Sequence, residues 1–573
     1  MESNRSRRFA ATIRTLAWLA VTCVPGATAD AAESDAVRPN VLIVLADDLG
    51  FADLGCYGGD IATPTLDRLA AEGIRGTSFY NTGRCWPTRA SILMGHYAQS
   101  VRRDKVAGLE KRTGNGPRAV PPAWATHLTE QLRAAGYRTY HSGKWHLDAT
   151  PLARGFDRSY WLKDQSRFFS PQRSFVDDEL QPPVPPGGPE QPFGTGFYGT
   201  DAIADHAVGC LADHAAAHAE QPFFSYVAFT APHFPLHARA DDIARYDGRF
   251  DDGWNAARQR RLSRQRELGL HLGPLSPPLT RVGPPYDFPD QVAQFGPGEL
   301  TRALDWSTLT DVQRAFQADK MEIHAAMVDR MDQQLGRIVA QLEAMGELDD
   351  TLVVFLSDNG ASAELMVRGD GHDRSAPMGS QPTHLCLGPG WSMASNTPFA
   401  YHKTWVHEGG IATPLVVRWP RRLPSDGRWV EAIGHTVDLW PTIVEATGIA
   451  ERTAAELRDD PNARPAPPRP GLSQLDAWSG GQAERAAAMG TANVSQRALW
   501  WSHEGNRAVR IGRWKLVAAN PERSETGTDT WQLYDLSTDR TETRDLAAAH
   551  PDRVAEMAAA WAQIEATTEM NAR

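Results

Sequence analysis

Short uninterrupted apolar runs alternate along this chain with stretches in which apolar positions return every three or four residues. "NVLIVLADD" (40–48), "FFSYVAF" (223–229) and "TLVVFLSDN" (351–359) are runs of the first kind. Continuous apolar character over such a length predicts strands covered on both faces, as in a parallel sheet between helices. "YRTYH" (137–141) predicts a further strand. "TPTLDRLAAEG" (63–73) predicts a helix with Thr63 as N-cap, Pro64 at the first helical position and Gly73 as its stop. Helical spacing also marks 125–135, closed by Gly136, and a long stretch from about 320 to 345. Strand, helix, strand in this order predicts an α/β fold built on a large, doubly wound mixed sheet.

The remaining segments punctuate that pattern. "QPPVPPGGPEQPFGTG" makes 160–200 read as surface loop, and 241–305 reads as an insertion rich in charge and aromatic residues. "RDDPNARPAPPRPG" (458–471) marks a linker or wrapping loop. Beyond it, "RAVRIGRWKLVAA", "TWQLYDLSTD" and a helix from about 549 to 567 predict a smaller C-terminal α+β domain. The expected organisation is a catalytic domain over 38–450, a linker over 451–484 and a small domain over 485–573.

At 573 residues the chain has ample length for one large and one small domain, and its 18 Trp supply a large core. The net charge of -11 argues against a nucleic-acid partner, which would need a basic face. At the N-terminus, Arg5, Arg7, Arg8 and Arg14 precede "LAWLAVTCV" and then "ATA" (27–29), the order of a signal peptide over 1–30. That apolar stretch is too short to span a membrane, so a periplasmic or secreted protein is expected. Removing the signal leaves Cys56, Cys85, Cys210 and Cys386, scattered and without C-x-x-C. This is neither a zinc pattern nor a dense disulfide framework.

Two apolar strands end in oxygen-bearing pairs, Asp47-Asp48 and Asp358-Asn359. Ligands of open α/β sheets collect at carboxyl ends of strands, and four such side chains together suit a hard cation such as Ca²⁺ or Mg²⁺. Either pair alone would read as a turn or cap. Lys144, His146, His233 and Lys403 also lie just past strand ends. With Arg89 they form a candidate cradle for a tetrahedral oxyanion beside the metal. Pro87 suits the first turn of a helix, which puts Cys85 just before a helix N-terminus, where an anion is favoured. Taken locally, Cys85 is either a small buried hydrophobe or a low-pKa nucleophile.

"CWPTRASILMG", "RPNVLIVLADDLGFADLGCYG", "GYRTYHSGKWHL", "TAPHFPLHA", "VVFLSDNGASAE" and "HKTWVHEGGIATP" resemble, in order, the motifs of the formylglycine-dependent sulfatases, close to bacterial arylsulfatases. The resemblance runs from about residue 38 to the C-terminus. It implies that a maturation enzyme oxidises Cys85 to formylglycine, whose hydrated diol is the nucleophile. It further implies that Asp47, Asp48, Asp358, Asn359 and the modified residue 85 hold Ca²⁺, and that Arg89 holds the diol and its neighbours. Lys144, His146, His233 and Lys403 would bind sulfate and move protons, with His233 or Lys403 as the acid and His146 as the base. The implied substrate is an aryl sulfate or a sulfated glycan; a phosphate or phosphonate ester is the alternative within the same superfamily. The family's usual serine is Thr88 here, and Trp86 is a bulky second residue in the modified stretch. Loops 100–120, 160–200 and 241–305 are expected to line the pocket, with Tyr246 and Trp254 as candidates to stack on substrate or to cover the core. His372 and Asp370 are candidates for its border, or else members of a solvated loop.

Overall fold

The computed structural model describes residues 38–105, 120–163, 167–188, 190–369, 371–459, 464–480 and 497–573. The expected signal peptide and Asp370 lie outside the described residues. The large sheet contains β1 (Asn40–Ala46), β2 (Ile74–Tyr80), β3 (Arg138–Gly143), β4 (Arg158–Leu162), β5 (Ser174–Val176), β6 (Glu179–Leu180), β7 (Phe223–Ala228), β8 (Thr351–Ser357), β9 (Leu415–Arg418) and β10 (Arg428–His435). Their spatial order is β10-β2-β9-β8-β1-β7-β3-β4-β5-β6. The central strands β8, β1, β7, β3 and β4 run parallel, whereas β9 is antiparallel to both of its neighbours. This is the mixed α/β sheet expected from the sequence.

The apolar runs are continuous because both faces of the central strands are covered. Leu42 and Val44 pack into one core, Val41, Ile43 and Leu45 into the other. The helices that matter below are α1 (Pro64–Ala71), α2 (Cys85–Met94), α3 (Leu128–Ala134), α4 (Gly199–Ala217), α5 (Gly253–Glu267), α6 (Asp311–Met345), α7 (Glu408–Ile411) and α8 (Pro551–Ala572). Helix α6 begins about nine residues before the apolar spacing reveals it. Its first turns are mostly polar and exposed, and a capping box between Thr310 and Gln313 starts it instead. Segment 160–200 is not loop throughout: it carries the short strands β5 and β6, which close one edge of the sheet. The insertion likewise contains α5, whose Trp254 packs edge-on against Trp306 at 4.8 Å.

A separate antiparallel sheet, ordered β11 (Ala498–His503), β12 (Asn506–Ile511), β13 (Trp514–Ala518) and β14 (Gln532–Asp535), packs with α8. Arg38–Arg573 forms one compact unit, so both sheets belong to one body. Among the described residues, no helix is long and apolar enough to cross a membrane.

Candidate active site

Strand register sets the site. Ala46 on β1 lies opposite Ser357 on β8, and Leu45 lies opposite Ala228 on β7. Gly143 on β3 is level with the same Ala228. The loops carrying Asp47-Asp48, Asp358-Asn359, His233 and Lys144 therefore leave the sheet at one carboxyl edge. Asp48 takes φ 66°, a left-handed conformation that costs a non-glycine residue free energy and is stored here beside a strand end. The "HEGG" loop reaches the edge from the other side. A Cβ on Gly360 would lie 1.9 Å from the Gly409 carbonyl oxygen, so only glycine lets the two loops touch.

Cys85 is the first residue of α2, not the residue before it, with Arg84 as the extended N-cap. Pro87 sits one turn in, which a helix tolerates because its first N–H groups have no intrahelical acceptors. Thr88 occupies the serine position by bonding Thr82, oxygen to oxygen at 2.8 Å. The bulk of Trp86 is accommodated between two imidazoles, with ring centroids 5.7 Å from His146 and 5.8 Å from His503.

Most of the expected residues converge, while His146 lies against the Trp86 ring. Ligand atoms of Asp47, Cys85 and Asp358 lie within 4.8 Å of one another, as do those of Asp47, Asp48 and His233. Lys144 Nζ bonds Asp47. Lys403 Nζ lies 2.8 Å from Asp48 Oδ1 and 2.8 Å from Glu364 Oε2. Arg89 donates from Nε and Nη2 to Asp358 Oδ2, at 3.0 and 2.7 Å, and from Nη1 to the Lys144 carbonyl at 2.7 Å. Its donors thus fix a carboxylate and the lysine loop. His233 Nδ1 lies 2.5 Å from the Phe234 carbonyl, which can only accept, so Nδ1 carries the hydrogen. Nε2 then faces Asp48 Oδ2 at 3.7 Å.

Burial sets the electrostatics. It raises the Asp47 carboxyl above its usual range, and the neighbouring Asp358 adds to this. It pushes Asp48 up too, but Lys403 and then His233 outweigh it and hold Asp48 low. Burial also keeps His233 neutral, near 4. Two buried oxygens, Asp47 Oδ1 and Asn359 Oδ1, accept no hydrogen bond. Buried acceptors are ordinarily paired, and these two belong to an all-oxygen donor set. That is the chemistry a hard divalent cation needs, so the residues present fit Ca²⁺.

Sequence reasoning missed Glu364 and Arg84. Glu364 bridges Lys403 and Arg84, the latter at 3.0 Å. The Arg84 guanidinium also bonds Thr404 Oγ1 at 2.9 Å and stands 5.0 Å from the Trp86 ring. The other candidates are engaged in contacts within the protein. Tyr246 and Trp254 are buried, bonding Asp329 and the Leu304 carbonyl respectively, so they cover the core. His372 is not in a solvated loop: its half-buried ring lies tilted against Phe295 at 5.3 Å, and Nδ1 accepts the His384 N–H at 2.9 Å.

Residues 39–449 match the Sulfatase family model. An uncharacterized sulfatase of Schizosaccharomyces pombe is 30% identical over 94% of this chain and 95% of its own. An arylsulfatase of Klebsiella aerogenes is 29% identical, over 75% of this chain and 90% of its own. Among solved structures, Ps i-CgsB in complex with k-i-k-neocarrahexaose superposes with a TM-score of 0.60 at 20% identity, covering 94% of each chain. BT4656 in complex with its substrate D-glucosamine-2-N,6-O-disulfate does so with 0.60 at 18%, covering 93% and 99%.

Proposed function

The chain belongs to the sulfatase family and is a sulfuric ester hydrolase, and from that premise we propose that it cleaves aryl or carbohydrate sulfate esters by a Ca²⁺- and formylglycine-dependent route centred on residue 85. The observation that carries this reading is the convergence of Asp47, Cys85 and Asp358 beside two buried acceptors without donors. Asp47, Asp48, Asp358 and Asn359 would hold the cation with an oxygen of the modified residue 85. When present, the cation and the diol supply Lewis acidity and a nucleophile that can also release sulfate without water attacking sulfur.

The protein's own residues do the rest. Lys144 and Lys403 offer positive donor groups beside the cation set and would grip the sulfate oxygens, while His233, neutral with its hydrogen on Nδ1, presents Nε2 as an acceptor and would bind once it takes up a proton there. Arg89 holds Asp358 and the Lys144 loop in place. Lys403, an ammonium between two carboxylates, is the donor for the leaving oxygen, and His146 the base beside residue 85. Four buried carboxylates (Asp47, Asp48, Asp358, Glu364) face four buried cations (Arg84, Arg89, Lys144, Lys403). A dication therefore enters more favourably with added negative charge, which an ionised nucleophile and then an anionic ester provide.

The N-terminal arginines and apolar stretch support export to the periplasm or medium, and a maturation enzyme there or on the way would act on Cys85. The test is a peptide mass spectrum over residue 85, from protein expressed with a formylglycine-generating enzyme, followed by rates on 4-nitrophenyl sulfate and 4-nitrophenyl phosphate. Conversion with faster sulfate release is expected. Full conversion without sulfate release from any aryl or carbohydrate sulfate would overturn the reading, and faster phosphate release would move it to a phosphate ester.

A further inference from the structure

Strand β2, edge strand β10, residues 269–273 and the small sheet border a cavity of about 500 Å³ that none of the candidate site residues lines. Arg510, Arg513 and Arg540 line it together with Ser78 and Ser537, and its one acidic lining residue among those described, Glu431, is exposed. Behind the wall lies a buried charge cluster. Lys515 bonds Glu408 at 2.9 Å and Glu542 at 2.8 Å, and Arg540 bonds Glu408 at 2.8 Å and Ser78 Oγ at 2.8 Å.

Arg510 is the exception in that cluster. It is 6% exposed, yet no carboxylate among the described residues lies within ion-pair distance of it. Nε donates to the Gly512 carbonyl at 2.9 Å and Nη1 to the Tyr80 hydroxyl, which leaves Nη2 without a protein acceptor. Tyr80 in turn donates to Glu408 at 2.9 Å, so that carboxylate already serves Lys515, Arg540 and Tyr80. Three buried cations thus share two carboxylates, of which Glu542 is driven by burial to about 7 and is only partly ionised at neutral pH. Arg510 has no ion pair of its own, since Glu408 acts on it only from beyond the Tyr80 hydroxyl, and the forked N–H groups left over match an oxyanion. Arg513 adds an exposed cation at the rim, loosely paired with Asp535 at 3.4 Å.

We propose that this cavity is a second, non-catalytic anion site that binds a sulfate group carried on a sugar, with Arg510 as its anchor and Arg513 at its mouth. The volume is in the range of small-molecule sites and exceeds what sulfate alone fills, which leaves room for a sugar ring beside the anion. The inference does not depend on the mechanism proposed for residue 85.

The test is calorimetric titration of full-length Cys85→Ala protein with galactose 6-sulfate, galactose and inorganic sulfate, with hydrogen exchange followed at 507–513 and 536–540. Galactose 6-sulfate should give two binding events, one of them protecting those segments. Arg510→Gln in the same background should weaken that event about tenfold or more and spare the other. Arg513→Gln, an exposed substitution that leaves the core intact, should weaken it about threefold. Absence of any event sensitive to either substitution would overturn the proposal. Equal binding of inorganic sulfate would overturn its sugar component and assign the site to free sulfate. Because Cys85 is already replaced, the mechanism at residue 85 is not read by this titration, and loss of the event insensitive to Arg510 would bear only on substrate binding at the reaction edge.

Discussion

Lys403 shares one ammonium between a candidate metal ligand, Asp48, and a carboxylate outside the metal set, Glu364. Glu364 is fully buried, and although burial raises it, Arg84 and Lys403 hold it far below the usual carboxylate range. Its charge therefore persists at every working pH and fixes the direction in which the ammonium points. Glu364→Gln keeps the shape and removes that charge. The expected result is a fall in kcat/KM of about tenfold on phenyl sulfate but under about threefold on 4-nitrophenyl sulfate, because a good leaving group needs less help from an acid. Equal losses on both esters would mean that Glu364 merely supports the fold. Asp47, Asp48, Asp358 and Asn359 were legible in the sequence because strand ends announce themselves. Glu364 was not, since its meaning comes from pairing with residues some 40 and 280 positions away, and a lone Glu after a turn has no spacing to read.

At the scale of elements, continuous apolar runs gave β1, β7 and β8 to within a residue or two, because two-sided burial leaves no polar positions to confuse. The start of α6 and the edge strands β5 and β6 were illegible for the opposite reason: their residues are polar, short in extent or half-exposed, so no apolar period marks them. Strand β13 shows how an element can be held by charge. Its Lys515 is wholly buried between Glu408 and Glu542, tying the small sheet to α7 and so to the "HEGG" loop. Lys515→Ala leaves the buried Glu542 without its cation, while Glu408 keeps Arg540 and Tyr80. We expect a loss of about 3–5 kcal/mol in urea unfolding, the range for breaking a buried pair. Lys515→Met, which fills the space but not the charge, should recover little of it. Full recovery would show that packing rather than charge holds the strand.

For the whole molecule, the question is what the cluster of carboxylates costs the fold before a cation arrives. Asp47, Asp48 and Asp358 gather at the carboxyl edges of β1 and β8, and the Asp47 carboxyl is raised above its unfolded value near 3.8, first by burial and then by Asp358. A group with a raised folded value lends stability that is complete below the unfolded value and is lost as pH rises through the folded one. The metal-free protein should therefore lose the Asp47 contribution on going from acid to neutral pH, while cation binding needs the ionised carboxylate and grows over the same interval. Thermal unfolding in calcium and in a calcium chelator checks this. The difference in Tm should be small near pH 4 and widen steadily toward pH 8, by linkage to the bound ion. In Asp47→Asn, which cannot ionise, that widening should shrink sharply. A calcium effect that is independent of pH, or that survives Asp47→Asn unchanged, would place the cation elsewhere and separate the fold's stability from the candidate site.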